Sequence, residues 1–362
     1  MTAIDFSHER RLRLDEASEA WWAGTLDRPM ISATLYGRDP GRKPPMFQGD
    51  LLAAAYDLSV PAEDIVDAWD YALCCQEFLG DASPMLWVNM GAISSCAYFG
   101  AVPQVQAAEG TVWFHPPRDL PPMELHFMPD AANVWLKRAL ELCRAAADRW
   151  QGQVAIGMPG LVTGLDIVSV FRPGEKLLLD LLDEPAHVLR CVDEIREAFW
   201  TWYDDFCRAS AADRCSYTCW IPMFSTKPFY AFQCDAAYMI SPEMFDCFVR
   251  PDLEACCGRI PHSIYHLDGI GQLPHLDSLL NISSLSAIQW VPGAGKPDQS
   301  HWPDVYRRIH AAGKKSQLFG GFEVLDAIAD QTGTAANQWL ITGGHTSQRD
   351  EILKVLARYG AA

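Results

Sequence analysis

The stretch Ser263-Ile264-Tyr265-His266-Leu267-Asp268-Gly269-Ile270-Gly271-Gln272-Leu273-Pro274-His275 decides how this chain is read. Ile264, Tyr265 and Leu267 give it the apolar character of a short strand. Gly269 and Gly271 stop that strand and open a tight loop. His266 and Asp268 lie two residues apart, so an extended backbone turns both to one side. An imidazole and a carboxylate are thereby presented together at a strand's C-terminal end, which is where parallel α/β folds carry their chemistry. The same two side chains could instead do no more than cap the turn, and the stretch by itself leaves both readings open.

Outward from this stretch, short apolar runs alternate with longer helical patterns. The runs are Met30–Tyr36, Pro84–Met90, Gln153–Met158, Ser216–Ile221, Ser263–Asp268, Ala287–Val291, Ser316–Phe319 and Gln338–Thr342, most of them ended by Gly or Pro. Helical patterns cover Leu12–Thr25, Pro61–Leu79, Asp130–Trp150, Pro185–Ser210, Trp302–Ala312, Glu323–Asp330 and Ser347–Tyr359. Strands alternating with helices predict a parallel sheet joined by right-handed crossovers, and eight such units predict an α/β protein of the closed (β/α)8 barrel type. An open doubly wound sheet is the alternative, but no GxGxxG follows an early strand. The barrel is expected as one domain over residues 1–362, with residues 1–29 as an N-terminal helical segment. Residues 101–129 read as a flap after the second strand: a β-hairpin from Val105–Phe114 and Glu124–Phe127, broken by Pro116-Pro117 and Pro121-Pro122. The segment Phe224–Tyr238 reads as an aromatic-rich loop.

Composition narrows the function. The chain has 362 residues, 49% hydrophobic and 21% charged, with a formal net charge of -17. Such an acidic surface argues against nucleic acid or an anionic membrane as partner and leaves a small-molecule substrate. The 12 cysteines include no CxxC and no zinc-ribbon spacing, which fits reduced, buried thiols in a cytoplasmic protein. Residues Met1 to Arg11 show no secretory signal pattern, and no apolar run is long enough to span a bilayer.

In a barrel, the strand C-terminal ends and the loops after them share one mouth. Tyr36, Arg38, Asn89, Met90, Met158, Trp220, Gln233, Asp235, His266, Asp268, Trp290, Glu323 and His345 are expected there. Tyr36, Asn89, Trp220, Gln233 and Trp290 are candidates for substrate contact. Trp220 and Trp290 have barrel packing as their plainer role, and Asn89 could simply bond loop backbone. Asp235 and Glu323, with His266, are candidates for acid–base work. His345 follows Gly343-Gly344, whose small size lets it approach the barrel axis. His266, Asp268 and His345 then form a candidate ligand set for zinc or another divalent transition metal, the alternative being a hydrogen-bonded His–Asp cluster without metal.

Several motifs resemble the uroporphyrinogen decarboxylase superfamily. They are His266-Leu267-Asp268-Gly269, Ile288-Gln289-Trp290-Val291-Pro292-Gly293, Thr342-Gly343-Gly344-His345, Gln233-Cys234-Asp235, Ser241-Pro242-Glu243-Met244-Phe245 and Arg250-Pro251, with Leu26-Asp27-Arg28-Pro29 near the N-terminus. The resemblance implies a (β/α)8 barrel and a homodimer. It is closer to the corrinoid-related methyltransferases of that superfamily than to its decarboxylases. Where the decarboxylases carry an Asp after the second strand, this chain has Asn89. Where the zinc methyltransferases carry His-x-Cys and a later Cys, it has His266, Asp268 and His345. The resemblance thus implies metal-assisted methyl transfer to or from a corrinoid held by a partner protein. The alternatives are a metal-independent lyase acting on a tetrapyrrole or other small carboxylate, and a non-catalytic corrinoid or tetrapyrrole binder.

Overall fold

The short apolar runs of the sequence become strands whose side chains are buried on both faces, as parallel sheets require. A computed structural model describes residues 4–362; residues 1–3 of the expected N-terminal segment lie outside the described part. The strands, in chain order, are β1 (Met30–Tyr36), β2 (Gln76–Gly80), β3 (Met85–Trp87), β4 (Val102–Gln106), β5 (Thr111–His115), β6 (Ala155–Gly157), β7 (Tyr217–Thr218), β8 (Phe224–Ser225), β9 (Phe229–Gln233), β10 (His262–Asp268), β11 (Ala287–Val291), β12 (Lys315–Phe319) and β13 (Gln338–His345). Helices run between most of them, the longest being Pro185–Ala209.

Backbone ladders join seven strands into one sheet in the order β2-β1-β13-β12-β11-β10-β9. All neighbours in it are parallel except β1 and β2. The strands β3 and β6 form a separate parallel pair. The architecture is therefore α/β with a parallel central sheet, and the recorded ladders do not run round as one continuous eight-stranded ring.

Three local expectations are corrected. The run 216–221 yields only the two-residue β7, which pairs antiparallel with β8; Pro222, which has no N–H to give a ladder, lies in the tight return between them. The parallel partner of β10 is instead β9, inside the segment read as a loop. Its sequence Phe229-Tyr230-Ala231-Phe232-Gln233 is buried throughout, and a run without polar alternation is easily mistaken for a loop anchor. The helix expected to reach Leu79 ends at Cys74, and Gln76–Gly80 turns back as β2 against β1. The flap hairpin is made by β4 and β5. Pro122–Glu124 is a short 3-10 turn and Leu125 to Phe127 is not a strand, since Pro121 and Pro122 lack the donors a ladder needs.

The N-terminal helix His8–Ala23 covers the end of the sheet where its strands begin. Ser7 caps it, accepting from the Arg10 N–H at 3.2 Å, and Gly24 closes it in the left-handed region. Its Trp21 and Trp22 indoles donate to the carbonyls of Gln338 and Phe224, both at 3.2 Å. Trp21 meets Trp339 edge to face at 5.1 Å, and Trp22 stacks on His262 at 4.6 Å. These rings are large apolar bodies whose polar tips are satisfied, which is the arrangement that makes buried Trp stabilising. With one end of the sheet sealed in this way, the ends of the strands after Gln233, Asp268, Val291 and Phe319 are left for chemistry. Among the described residues, no helix is long and apolar enough to cross a membrane.

Burial at the sealed end pushes the His262 imidazole down to about 4, with Lys227 and Lys315 adding to the effect. The folded protein then declines a proton that the unfolded chain accepts below its ordinary value of 6.5. Stability is therefore complete above that value and is lost progressively as pH falls toward 4. Thermal unfolding followed from pH 7 to 4.5 should show a falling midpoint. In His262→Phe, which keeps a ring against Trp22 but takes no proton, the fall should be smaller.

Candidate functional site

The strand register brings the first group of site residues together. Gln233 of β9, His266 of β10, Gln289 of β11 and Gln317 of β12 are successive partners across the parallel ladders. Side chains at one register level share a face, so four polar groups form a row across otherwise apolar strands. The row is chemically ordered. Gln317 donates through Nε2 to the Leu318 carbonyl, Gln289 donates through Nε2 to Gln317 Oε1, and Gln289 Oε1 meets His266 Nδ1. The backbone carbonyl at one end can only accept, so each amide in turn is held in one orientation. Gln289 therefore offers His266 an acceptor, which places the imidazole proton on Nδ1. Nε2 is left facing outward, 3.9 Å from Asp268 Oδ2.

Trp220 stands edge to face with the His266 ring at 5.0 Å, and its indole N–H donates to the Ala231 carbonyl at 3.2 Å. The tryptophan is thus fixed on both its apolar and polar sides. Asp235, just beyond β9, lies near enough for the charges of both His266 and Asp268 to act on it. Gln233 Nε2 reaches its Oδ2 at 3.5 Å, the outer limit of a hydrogen bond. Desolvation holds the Asp235 carboxyl above the usual carboxylate range; His266 pulls it down and Asp268 pushes it up.

Behind Asp235 lies a residue that reading the sequence did not single out. Asp166 is buried in the first turn of the helix Gly164–Phe171. Its Oδ1 accepts from the Ala236 N–H at 3.0 Å, while its Oδ2 is buried without a partner. Burial, then the charge of Asp235, raise its carboxyl to about 7. The signal was there to be seen: one carboxylate in the apolar stretch Leu161-Val162-Thr163-Gly164-Leu165-Asp166-Ile167-Val168. Gln289 and Gln317 left a similar trace, as amides inside apolar strands.

Other expected residues take different places. Trp290 alternates with Gln289 and points to the opposite face, fully buried against Trp302 at 5.3 Å. It packs between sheet and helices and does not line the mouth. Asn89 spends its side-chain oxygen on the Gly91 N–H at 2.9 Å, a loop contact. Arg38 donates to the Cys74 carbonyl at 2.9 Å. Tyr36 ends β1 in an exposed position opposite His345. Glu323 is exposed at the start of the helix Phe322–Thr332, folded over Gly321. His345 is exposed and turned to its own loop, its Nδ1 3.0 Å from Ser347 Oγ. It belongs to β13, three strands along the sheet from β10. The structure accordingly brings His266 and Asp268 together but does not bring His345 to them. Among the described residues, no three His, Cys, Asp or Glu side chains stand close enough to hold a metal ion. The residues present do not fit the expected metal.

No family model matches the chain, and no curated protein matches it. Among solved structures, a methyltransferase from Methanosarcina mazei is similar, with a TM-score of 0.59 and 11% identity over 94% of this chain and 99% of that one. A mandelate racemase/muconate lactonizing enzyme from Sulfitobacter sp. superposes with a TM-score of 0.34 and 10% identity, over 88% of this chain and 56% of that one. The first likeness establishes a shared α/β fold across nearly the whole of both chains.

Asp166 gives a test that needs no substrate. Its folded value of about 7 lies above the ordinary 3.8. The folded protein therefore binds the extra proton between those values, and stability declines as pH rises through the interval. Asp166→Asn keeps an acceptor for Ala236 and never ionises. Its unfolding midpoint should gain on the wild type steadily from pH 5 to pH 8; a constant difference would mean that Asp166 stays charged throughout.

Proposed function

We propose that the protein is an enzyme of the uroporphyrinogen decarboxylase-like type that transfers a methyl group to or from a corrinoid held by a partner, with His266 as its proton-handling group. The observation that carries this reading is the relay from the Leu318 carbonyl through Gln317 and Gln289 to His266. A relay that fixes the tautomer leaves one ring nitrogen committed to giving or taking a proton at the open end of the strands. The likeness to a methyltransferase in fold supports the choice of group. So does the parallel sheet, which presents His266 and Asp268 at the C-terminal end of β10 and Asp235 just beyond β9.

The step follows from these residues. The bond between the methyl carbon and the donor heteroatom breaks, and its electron pair stays on the heteroatom. His266 Nε2–H supplies the proton that neutralises that leaving group. The electron pair of the nucleophile forms the new bond to carbon. Asp268, beside Nε2, stabilises the imidazolium before the transfer, and Asp235 sets the charge around it. In the reverse direction neutral Nε2 takes the proton back. Exposed Tyr36 and Phe319, with Tyr238, Met239 and Ile270 beside the end of β10, give the strand ends an apolar rim suited to a flat macrocycle. No metal enters this step, because the donors for one do not converge.

A lyase acting on a carboxylate fits less well. Arg38, the cation expected at the mouth, is turned to a backbone carbonyl, and the residues around His266 are acids, amides and an indole.

The test is turnover with free methylcobalamin as donor and a panel of small thiols, amines and phenols as acceptors, followed by loss of its absorbance and by NMR of the methylated product. Turnover should fall by about 10²–10⁴-fold in His266→Ala. Gln317→Leu, which breaks the relay away from the reacting atoms, should fall by less and should shift the pH profile. Decarboxylation without methyl transfer, or methyl transfer unchanged in His266→Ala, would overturn the reading.

A further inference from the structure

The ladder between β11 and β12 stops before the strands do. Its register pairs are Ala287 with Lys315, Ile288 with Ser316 and Gln289 with Gln317. Both strands then run on, β11 still paired with β10 as far as Val291 and β12 with β13 as far as Phe319. Beyond the relay pair Gln289–Gln317 the sheet is therefore forked. In a parallel ladder the donors that face one neighbour recur at every second residue. The Lys315 N–H donates to the Ser286 carbonyl at 3.1 Å, so the rung due after the relay pair joins the Phe319 N–H to the Trp290 carbonyl. A side chain occupies that rung. Gln299 Oε1 accepts from the Phe319 N–H at 2.9 Å, and Gln299 Nε2 donates to the Trp290 carbonyl. Gln299 is only 1% exposed, so both bonds are made out of reach of bulk water, where losing either would leave a buried polar group unpaired.

A side-chain amide carries a donor and an acceptor in one rigid plane, as a peptide does. Inserted into the rung, it holds the backbones of β11 and β12 further apart than the roughly 4.8 Å of a closed ladder. The turn that carries it is itself tethered. Gln331 Nε2 donates to the Ser300 carbonyl at 2.6 Å, and Trp302 packs edge to face on Trp290 at 5.3 Å. Gln289 and Gln317 thus stand at the apex of the fork, their spacing set by the closed ladder on one side and by Gln299 on the other. We infer that Gln299 is a positioning residue: it holds the fork open and so fixes the spacing at which Gln289 donates to Gln317 and offers His266 an acceptor. Its own bonds go to backbone, so it acts on His266 through the relay. The inference rests on His266 as the proton-handling group, but the tautomer it concerns is read without any methyl donor.

The test is nitrogen NMR of the full chain labelled at histidine, with His266→Gln identifying the His266 ring signals. Above the pH at which the ring takes a proton, the wild type should show a single Nδ1–H tautomer. Gln299→Met keeps the length of the side chain and loses both bonds; a second, Nε2–H population should appear in it, as it should in Gln317→Leu. Gln299→Glu keeps the acceptor for Phe319, loses the donor to Trp290 and should move the same way. In turnover, Gln299→Met should lower kcat by about tenfold with KM little changed, and should shift the pH profile in the same direction as Gln317→Leu. Circular dichroism and thermal midpoints establish that each variant is folded. Gln331→Leu, at a half-buried position that only steadies the turn, gives a further reading if substitution of Gln299 proves unstable. An unchanged Nδ1–H tautomer in Gln299→Met, Gln299→Glu and Gln331→Leu alike overturns the inference, whatever happens to kcat, since a mere clamp between strands would lower the midpoint without touching the ring. So does a wild type in which Nδ1–H is not the preferred tautomer. A tautomer that changes in Gln299→Met, in a protein without methyl turnover, keeps this inference and removes the methyl-transfer reading. Methyl turnover that is lost in His266→Ala, with a tautomer indifferent to Gln299, does the opposite.

Discussion

Parallel register is the constraint on which the reactive end depends. The pairing of β9 with β10, β10 with β11, and β11 with β12 sets Gln233, His266, Gln289 and Gln317 at one level. A slip of one residue in any ladder would turn one of these side chains to the helix-facing layer, because the side-chain period of a strand is two. The same alternation explains why Trp290 is in that layer, one residue from Gln289. The row continues through Gln317 to its register partner Trp339, whose indole donates to Ser32 Oγ at 3.0 Å on β1. Polar relay and aromatic seal are therefore two parts of a single register, and neither can shift without the other.

Within that frame, the site's chemistry comes from unequal treatment of similar groups. Asp81, Asp180 and Asp252 are buried with arginines and do structural work. Asp166 and Asp235 are held close together with no arginine, and both carboxyls are displaced upward by desolvation. Asp166 shares the depth of the first three without their arginine, whereas Asp235 stands in an exposed position just beyond β9.

The sequence made some of this legible and hid the rest for physical reasons. His266 and Asp268 could be paired because a strand's alternation is local and needs no knowledge of neighbours. The parallel α/β arrangement followed from the alternation of runs and helices, and most strands fell where the apolar runs put them. What escaped was set by contacts distant in the chain. β9 is apolar on both faces and carries no periodic mark, so only its pairing with β10 reveals it. His345 is next to glycines that permit an inward path, yet its ring bonds Ser347 and lies over Gly37, just beyond β1. Asp166 meets Asp235 from a residue 69 positions earlier in the chain, a separation no local pattern can report.

The ladder between β1 and β13 has a consequence for how the molecule is made. Its seven register pairs join residues 30–36 to residues 339–345. During synthesis β1 emerges about 300 residues ahead of the β13 segment it pairs with. Over that interval its N–H and C=O groups form an open edge, save where β2 covers one side. The local, antiparallel β2 turn is available almost at once, and Arg28 with Asp81 can clamp it before any long-range contact exists. The small antiparallel return at the start of the fold thus acts as a temporary guard on an edge that the last strand later occupies from the other side.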